Sequence, residues 1–257
     1  DCPAPVFIIG LPRTGTTLLE KTLTSLADLQ AVGEHLNFRK SIERQLDRVF
    51  TSPFEIADRD FARRLDFTEL GRRYKEKTRW RAQGLPYYTD KEPFNFAYAG
   101  LIAKAMSEAR IIHIRRNPMD ACFSAYKQSF AYGSFPASYS LDSLASFYRN
   151  YERVMAFWRE RLGERMLEIR YEDLVLRHEE TLDRIKAYCQ FGDAVQAGHT
   201  SRAYKASTLS AAQVQKPIHA GNINAWAKYR DYLKPLRTAL DAEYTAYMRG
   251  IEGVEIL

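Results

Sequence analysis

Gly10-Leu11-Pro12-Arg13-Thr14-Gly15-Thr16-Thr17 gathers two glycines, an arginine and three threonines into eight residues. Glycines let the backbone approach a ligand closely, the N–H groups of such a loop point at an anion, and threonine hydroxyls add donors. A second set lies a hundred residues on, where Arg116 stands just before Asn117-Pro118 and Ser124 follows eight residues later. A guanidinium at the rim and a hydroxyl two helical turns away can share one anion. Between the two sets, Glu34-His35 offers a carboxylate and an imidazole, either able to take a proton. Lys91, set between Asp90 and the Glu92-Pro93 turn, is placed to reach a developing negative charge.

These residues need elements to hold them. The apolar run Val6-Phe7-Ile8-Ile9 before the glycine loop and Leu18, Leu19, Leu23 and Leu26 after it read as strand, loop, helix. Gly10 and Gly15 have the Gly-x4-Gly spacing of nucleotide-triphosphate loops, but Thr16 stands where those carry Lys, so phosphate binding without ATPase chemistry is expected. Leu29 to Gly33 reads as a second strand. In an open parallel sheet ligands bind beyond the carboxyl ends of strands, so Glu34 and His35 at its end face the site. Residues 38–81 read as helical and charge-rich, a solvated face closing in the basic, aromatic run Arg72 to Arg81.

Tyr87 to Thr89 and Ala109 to Arg115 read as further strands, the latter with His113 packed in the core. Asn117-Pro118 then caps and opens a helix whose apolar positions are Met119, Cys122, Phe123 and Tyr126. Phe130 to Ser140 has the composition of an ordered loop able to close over substrate. Leu141 to Leu162 reads as a long amphipathic helix, Met166 to Arg170 as a strand ending at Tyr171, and Glu179 to Cys189 as a helix. Ser207 to Pro235 is polar and loop-like, with Lys216 able to fold over a ligand, before a terminal amphipathic helix. Strand and helix alternate throughout, which predicts an α/β, P-loop-like three-layer fold with a central, mainly parallel sheet flanked by helices.

The 257 residues, 46% hydrophobic, fit one domain over 1–257, and a start at Asp1 leads us to expect a preceding region in the full protein. A net charge of +6 suits an anionic ligand and is mild for a nucleic-acid binder. Cys2, Cys122 and Cys189 form neither a disulfide framework nor a metal-ligand spacing, and nothing approaches the ~20 apolar residues of a membrane span. A reducing, cytoplasmic and bacterial setting is expected.

Over nearly its whole length the chain resembles the sulfotransferases that use 3′-phosphoadenosine 5′-phosphosulfate (PAPS). Its closest likeness is to the branch holding tyrosylprotein and bacterial sulfotransferases, some of which follow tetratricopeptide repeats. The resemblance implies that Arg13, Thr14, Gly15, Thr16 and Thr17 hold the 5′-phosphosulfate and Arg116 with Ser124 the 3′-phosphate. It implies that Tyr171 of Tyr171-Glu172-Asp173-Leu174 contacts the adenine, and that Lys216, within Gln213 to Ile218, reaches the cofactor. Asp90-Lys91-Glu92-Pro93-Phe94 is similar to the branch's Lys-Asp-Pro-Phe, which makes Lys91 catalytic beside Arg13. Gly33-Glu34 resembles the start of Gly-Glu-Glu-Thr-Arg, whose second Glu aligns with His35, so Glu34 and His35 both stand as candidate bases.

The implied reaction moves a sulfuryl group from PAPS to a hydroxyl of a protein tyrosine, carbohydrate, lipid or small molecule. It releases 3′-phosphoadenosine 5′-phosphate (PAP), with no metal and no nucleic acid involved. Two other readings compete: a nucleotide kinase-like P-loop enzyme, which would want Lys at position 16, and a non-catalytic module that only holds phosphoadenosine.

Overall fold

The computed structural model describes residues 3–55, 61–130, 134–191 and 218–249. Its centre is β1 (Ala4–Gly10), whose alternate side chains supply both faces of a parallel five-stranded sheet of order β2-β3-β1-β4-β5. The other strands are β2 (Leu29–Gln30), β3 (Tyr87–Asp90), β4 (Arg110–Arg115) and β5 (Met166–Arg170). Val6 and Ile8 join Ile112, Ile114 and Ile169 in the core on one face, under Leu19 and Leu23 of α1 (Thr16–Leu23) and Ile185 of the helix His178–Cys189. Phe7 and Ile9 enter the larger core on the other face, with Phe38, Tyr74, Ile102, Tyr151 and Met155. Near-continuous apolar strands with helices on both sides are what a parallel sheet requires.

The helices that follow α1 as far as residue 189 are α2 (Asn37–Leu46), α3 (Phe67–Thr78), α4 (Ala99–Ala105), α5 (Pro118–Tyr126), α6 (Leu141–Leu162), α7 (Tyr171–Leu176) and α8 (His178–Cys189). The α/β reading and the parallel sheet hold. Strand β1 lies between β3 and β4, so the chain's direction of winding reverses between β1 and β4. Their carboxyl ends therefore make the crevice where open parallel sheets bind ligands.

Local expectations changed in four places. The second strand stops at Gln30, because Thr89 Oγ1 takes the Val32 N–H at 2.9 Å and Glu20 Oε1 takes the Gly33 N–H at 2.9 Å. Side-chain acceptors thus replace the ladder and turn Glu34 out of the sheet. The charge-rich region 38–81 splits into two helices: Asp47 ends α2 in a left-handed conformation, and Asp66 restarts the chain by capping Glu69 N–H at 3.0 Å. Tyr126 is half exposed at the end of α5, where Ala125 takes the buried position of the last turn. The terminal helix is two helices, Lys234–Ala239 and Asp241–Met248, broken where Leu240 leaves helical dihedrals. His113 is buried as expected, with Nδ1 at 3.0 Å from Glu168 and Nε2 facing the Tyr151 hydroxyl.

Candidate active site

The glycine loop crosses from β1 to α1 with Arg13 at φ 73° and Gly15 at φ 105°. Gly15 is required twice over, since its dihedral disfavours any side chain and a Cβ there would stand 2.6 Å from the Tyr171 ring. Thr14 donates its hydroxyl to the Leu11 carbonyl at 2.7 Å and so fixes the loop from within. No side chain caps α1 at Gly15, and helices leave their first-turn N–H groups without partners in the helix. Gly15, Thr16, Thr17 and Leu18 line a cleft.

The opposite wall of that cleft comes from the end of β4 and from α5. Asn117 caps α5 by accepting from Met119 N–H at 2.9 Å, and its own N–H goes to the buried Glu172 at 3.0 Å. This fixes Arg116, whose guanidinium donates to the carbonyls of Arg13 and Asn222 and lies 4.5 Å from the centre of the Tyr171 ring. Ser124 receives the Arg13 Nε–H at 3.1 Å. Arg13, Arg116, Ser124 and Tyr171 thus line one cleft, together with the glycine loop.

Lys127, one helical turn beyond Ser124, adds a third cation to the cleft. Burial first, and then Arg116, hold the Arg13 pKa below its ordinary value; partial burial, Arg13 and Arg116 do the same to Lys127. Positive charges that depress one another around an open cleft are arranged for a polyanion. The segment after residue 217 completes the wall. Asp120 accepts the N–H groups of Asn224 (2.7 Å) and Trp226 (3.1 Å), which ties His219, Asn222 and Ala225 over α5 at the rim. Lys216 lies outside the described residues.

A second cleft opens on the other side of the same loop. Arg13, Thr16 and Thr17 line both, so the two clefts meet at the glycine loop. Glu34 lines the second, 45% exposed, and its Oε1 accepts from Lys91 Nζ at 2.9 Å. Lys91 is fully buried, with Glu20 a further carboxylate at 4.0 Å and its backbone N–H held by the Gly33 carbonyl at 3.2 Å. Burial followed by the charge of Glu34 pushes the Glu92 carboxyl up to about 8 in this cleft.

His35 is placed differently. Its Nε2 donates to the Val32 carbonyl at 2.8 Å, Arg81 lies at 3.3 Å, and it lines neither cleft. Burial and then Arg81 lower its pKa. Of the two candidate bases, the fold brings Glu34 to Lys91 and the glycine loop and turns His35 toward Arg81.

Sequence reasoning missed Asp120 and Lys127, though Asp120, Ser124 and Lys127 recur at helical spacing on one face of α5. It also passed over Glu92 and Tyr98, at the two ends of the short helical turn Pro93–Tyr98, and Arg39 of α2, which reach the second cleft. No local pattern could have joined those. Among the described residues no group of three His, Cys, Asp or Glu could hold a metal ion, and no helix is long and apolar enough to cross a membrane.

Comparison with known proteins gives the family and the fold. A curated relative, an uncharacterized protein of Aquifex aeolicus (strain VF5), is 28% identical over 242 residues, covering 90% of this chain. The chain spans about a third of that relative's length, 31%. Among solved structures, sulfotransferase STF9 from Mycobacterium avium aligns over 100% of this chain and 78% of its own, with TM-score 0.51 and 14% identity. Mouse sulfotransferase SULT7A1 complexed with PAP aligns over 97% and 86%, with TM-score 0.51 and 17% identity. The sulfotransferase domain of the Synechococcus PCC 7002 olefin synthase aligns over 89% and 95%, with TM-score 0.51 and 17% identity. At such identities these structures share the fold. Residues 5–193, well over half of the sequence, match the profile of the Sulfotransferase family, and the chain belongs to that family.

Proposed function

We propose that this chain transfers a sulfuryl group from PAPS, held in the cleft of Arg13, Arg116, Ser124 and Tyr171, to an acceptor hydroxyl in the cleft of Glu34. The observation that carries this reading is the shared wall: Arg13, Thr16 and Thr17 face both clefts, so a donor in one and an acceptor in the other meet there. Arg116 and Ser124 bind the 3′-phosphate, and Arg13 with the loop from Thr14 to Thr17 binds the 5′-phosphosulfate. Tyr171 walls the adenine side, its ring engaged by Arg116 and Gly15. Ile218 and His219 line that cleft, and Lys216, two residues earlier in the sequence, is assigned to the donor on the family resemblance alone.

In the transfer, the acceptor hydroxyl gives its proton to Glu34 while its oxygen bonds to sulfur and the bond from sulfur to the departing phosphate oxygen breaks. In-line displacements of this kind are catalysed mainly by positioning and charge stabilisation. Lys91 orients Glu34 and, with Arg13, offsets the charge that builds on the sulfuryl oxygens and the leaving phosphate. No step in this scheme draws on a metal. Thr16 in place of a P-loop Lys argues against a kinase reaction, and Glu34 beside Lys91 argues against a module that only binds.

The test is incubation of the protein with PAPS and a panel of phenols, sugars, lipids and tyrosine peptides, reading PAP release and sulfated product by mass spectrometry. Acceptor-dependent PAP release at wild-type Glu34 and its loss in Glu34→Gln support the reading. ATP-dependent phosphorylation of the same panel would replace it with the kinase-like one.

A further inference from the structure

The acceptor cleft holds a polar group that the proposed reaction does not use. Tyr98 is 1% exposed, lines the cleft, and its hydroxyl has no hydrogen-bond partner among the described residues. A buried hydroxyl left unpaired is costly, so one in the wall of a substrate cleft marks a place where substrate can complete the bond. The Glu92 carboxyl lines the same cleft, with Oε1 accepting the Phe94 N–H at 3.3 Å. Phe94, Phe130, Leu36 and Pro53 make the surrounding wall apolar.

We propose that the Tyr98 hydroxyl, with the Glu92 carboxyl, forms a second anchor that binds a hydroxyl of the acceptor other than the one sulfated, so that the acceptor class is an apolar-bodied diol. This rests on the sulfotransferase reading above. The charges around the anchor select a neutral group. Glu34, Asp90 and Lys91 act electrostatically on Glu92, and Arg39, Glu43, Glu92 and Glu55 on Tyr98. An acidic group would meet the Glu34 carboxylate. An ammonium would meet Arg39 and, near neutral pH, a Glu92 carboxyl that burial keeps protonated. A protonated carboxyl and a phenol both donate and accept, which suits a hydroxyl.

The experiment is calorimetry on the PAP-saturated protein with matched pairs of 4-alkylphenols and 4-(ω-hydroxyalkyl)phenols of two to four carbons, plus tyramine. The best diol should bind about tenfold more tightly than its monohydroxy partner. Tyr98→Phe should cut that advantage to about twofold or less with PAP affinity unchanged, Glu92→Ala should do the same, and Glu92→Gln should keep most of it. Equal affinity within every pair, no binding of any phenol, tightest binding of tyramine, or an advantage that survives Tyr98→Phe overturns the proposal. A protein that fails to bind PAP removes the sulfotransferase reading itself, whereas PAP binding without diol preference overturns only the second anchor.

Discussion

Arg115, the last residue of β4, turns its guanidinium to Glu168 at 3.1 Å and Glu152 at 3.2 Å and lies 4.8 Å from the Tyr247 ring centre. Arg116, the next residue, meets two backbone carbonyls and the face of Tyr171 and opens on the donor cleft. Around Arg115 the carboxylates converge, with Arg159 and His113 also on Glu168, so the charge is spent on holding β4, β5 and α6 together. Around Arg116 the nearest carboxylate, Asp120 at 3.9 Å, is engaged by the N–H groups of Asn224 and Trp226. A guanidinium is structural where carboxylates are brought to it and a binding group where they are kept occupied elsewhere. Lys91 stands between these cases: it is as buried as a structural cation, yet one of its carboxylates, Glu34, opens on a cleft.

The contrast can be broken most severely at the glycine loop and Lys91. Arg13→Ala and Lys91→Ala should each lower kcat by about 10²–10³-fold, as loss of a charge-stabilising donor does, while PAP affinity changes less than tenfold. Steady-state kinetics beside calorimetry separates the two, and equal losses in both would remove the catalytic assignment. Arg116→Ala should show the reverse pattern, with PAP binding weakened about 10- to 100-fold and kcat at saturating donor less affected.

Arg115→Ala sharpens the comparison from the other side. It should cost about 3 kcal/mol of stability, because it strips a partner from Glu152 and Glu168, and should leave PAP affinity within a few-fold of wild type. Urea unfolding with PAP titration reads both, and an Arg115→Ala protein of normal stability that cannot bind PAP would mean the two arginines are misassigned.

The smallest effects are those of pH, and they have opposite signs in the two regions. Desolvation would raise the Glu168 pKa, but His113, Arg115 and Arg159 together hold it well below the usual carboxylate range. Its stabilisation is therefore present above about pH 4.5 and lost as the pH falls through the native value. Glu92 runs the other way. Its native pKa of about 8 lies above its ordinary 4.5, so its contribution is full below pH 4.5 and is lost as the pH rises to 8. Glu92→Gln should accordingly gain stability relative to wild type between pH 4.5 and 8, and urea midpoints across that range check the sign.

The residues that line the cleft proposed for the donor could be grouped from the sequence because their signals are local. Gly10, Arg13, Gly15 and the threonines sit in one loop, and Arg116, Asn117 and Ser124 belong to one strand-to-helix turn, so spacing alone puts them on one rim. The acceptor side is assembled from the end of β2, the end of β3, the turn before α4 and the loop after α5, whose meeting depends on tertiary packing. Glu34 and His35 show the limit most clearly. Adjacent residues in a loop offered two bases, and what separates them is the diversion of Val32 and Gly33 to Thr89 and Glu20, which carries Glu34 to Lys91 and His35 to Arg81. The parallel sheet was readable from five apolar runs, whereas the early end of β2 and the break at Leu240 depend on contacts from distant residues and on a single dihedral change.

The most direct test of the account is calorimetric titration of the purified protein with PAP beside ATP and magnesium. Tight binding of PAP, weakened by Arg116→Ala and kept by Arg115→Ala, with little binding of ATP, is the predicted result. A preference for ATP, or PAP binding indifferent to Arg116, would contradict the assignment of the donor cleft.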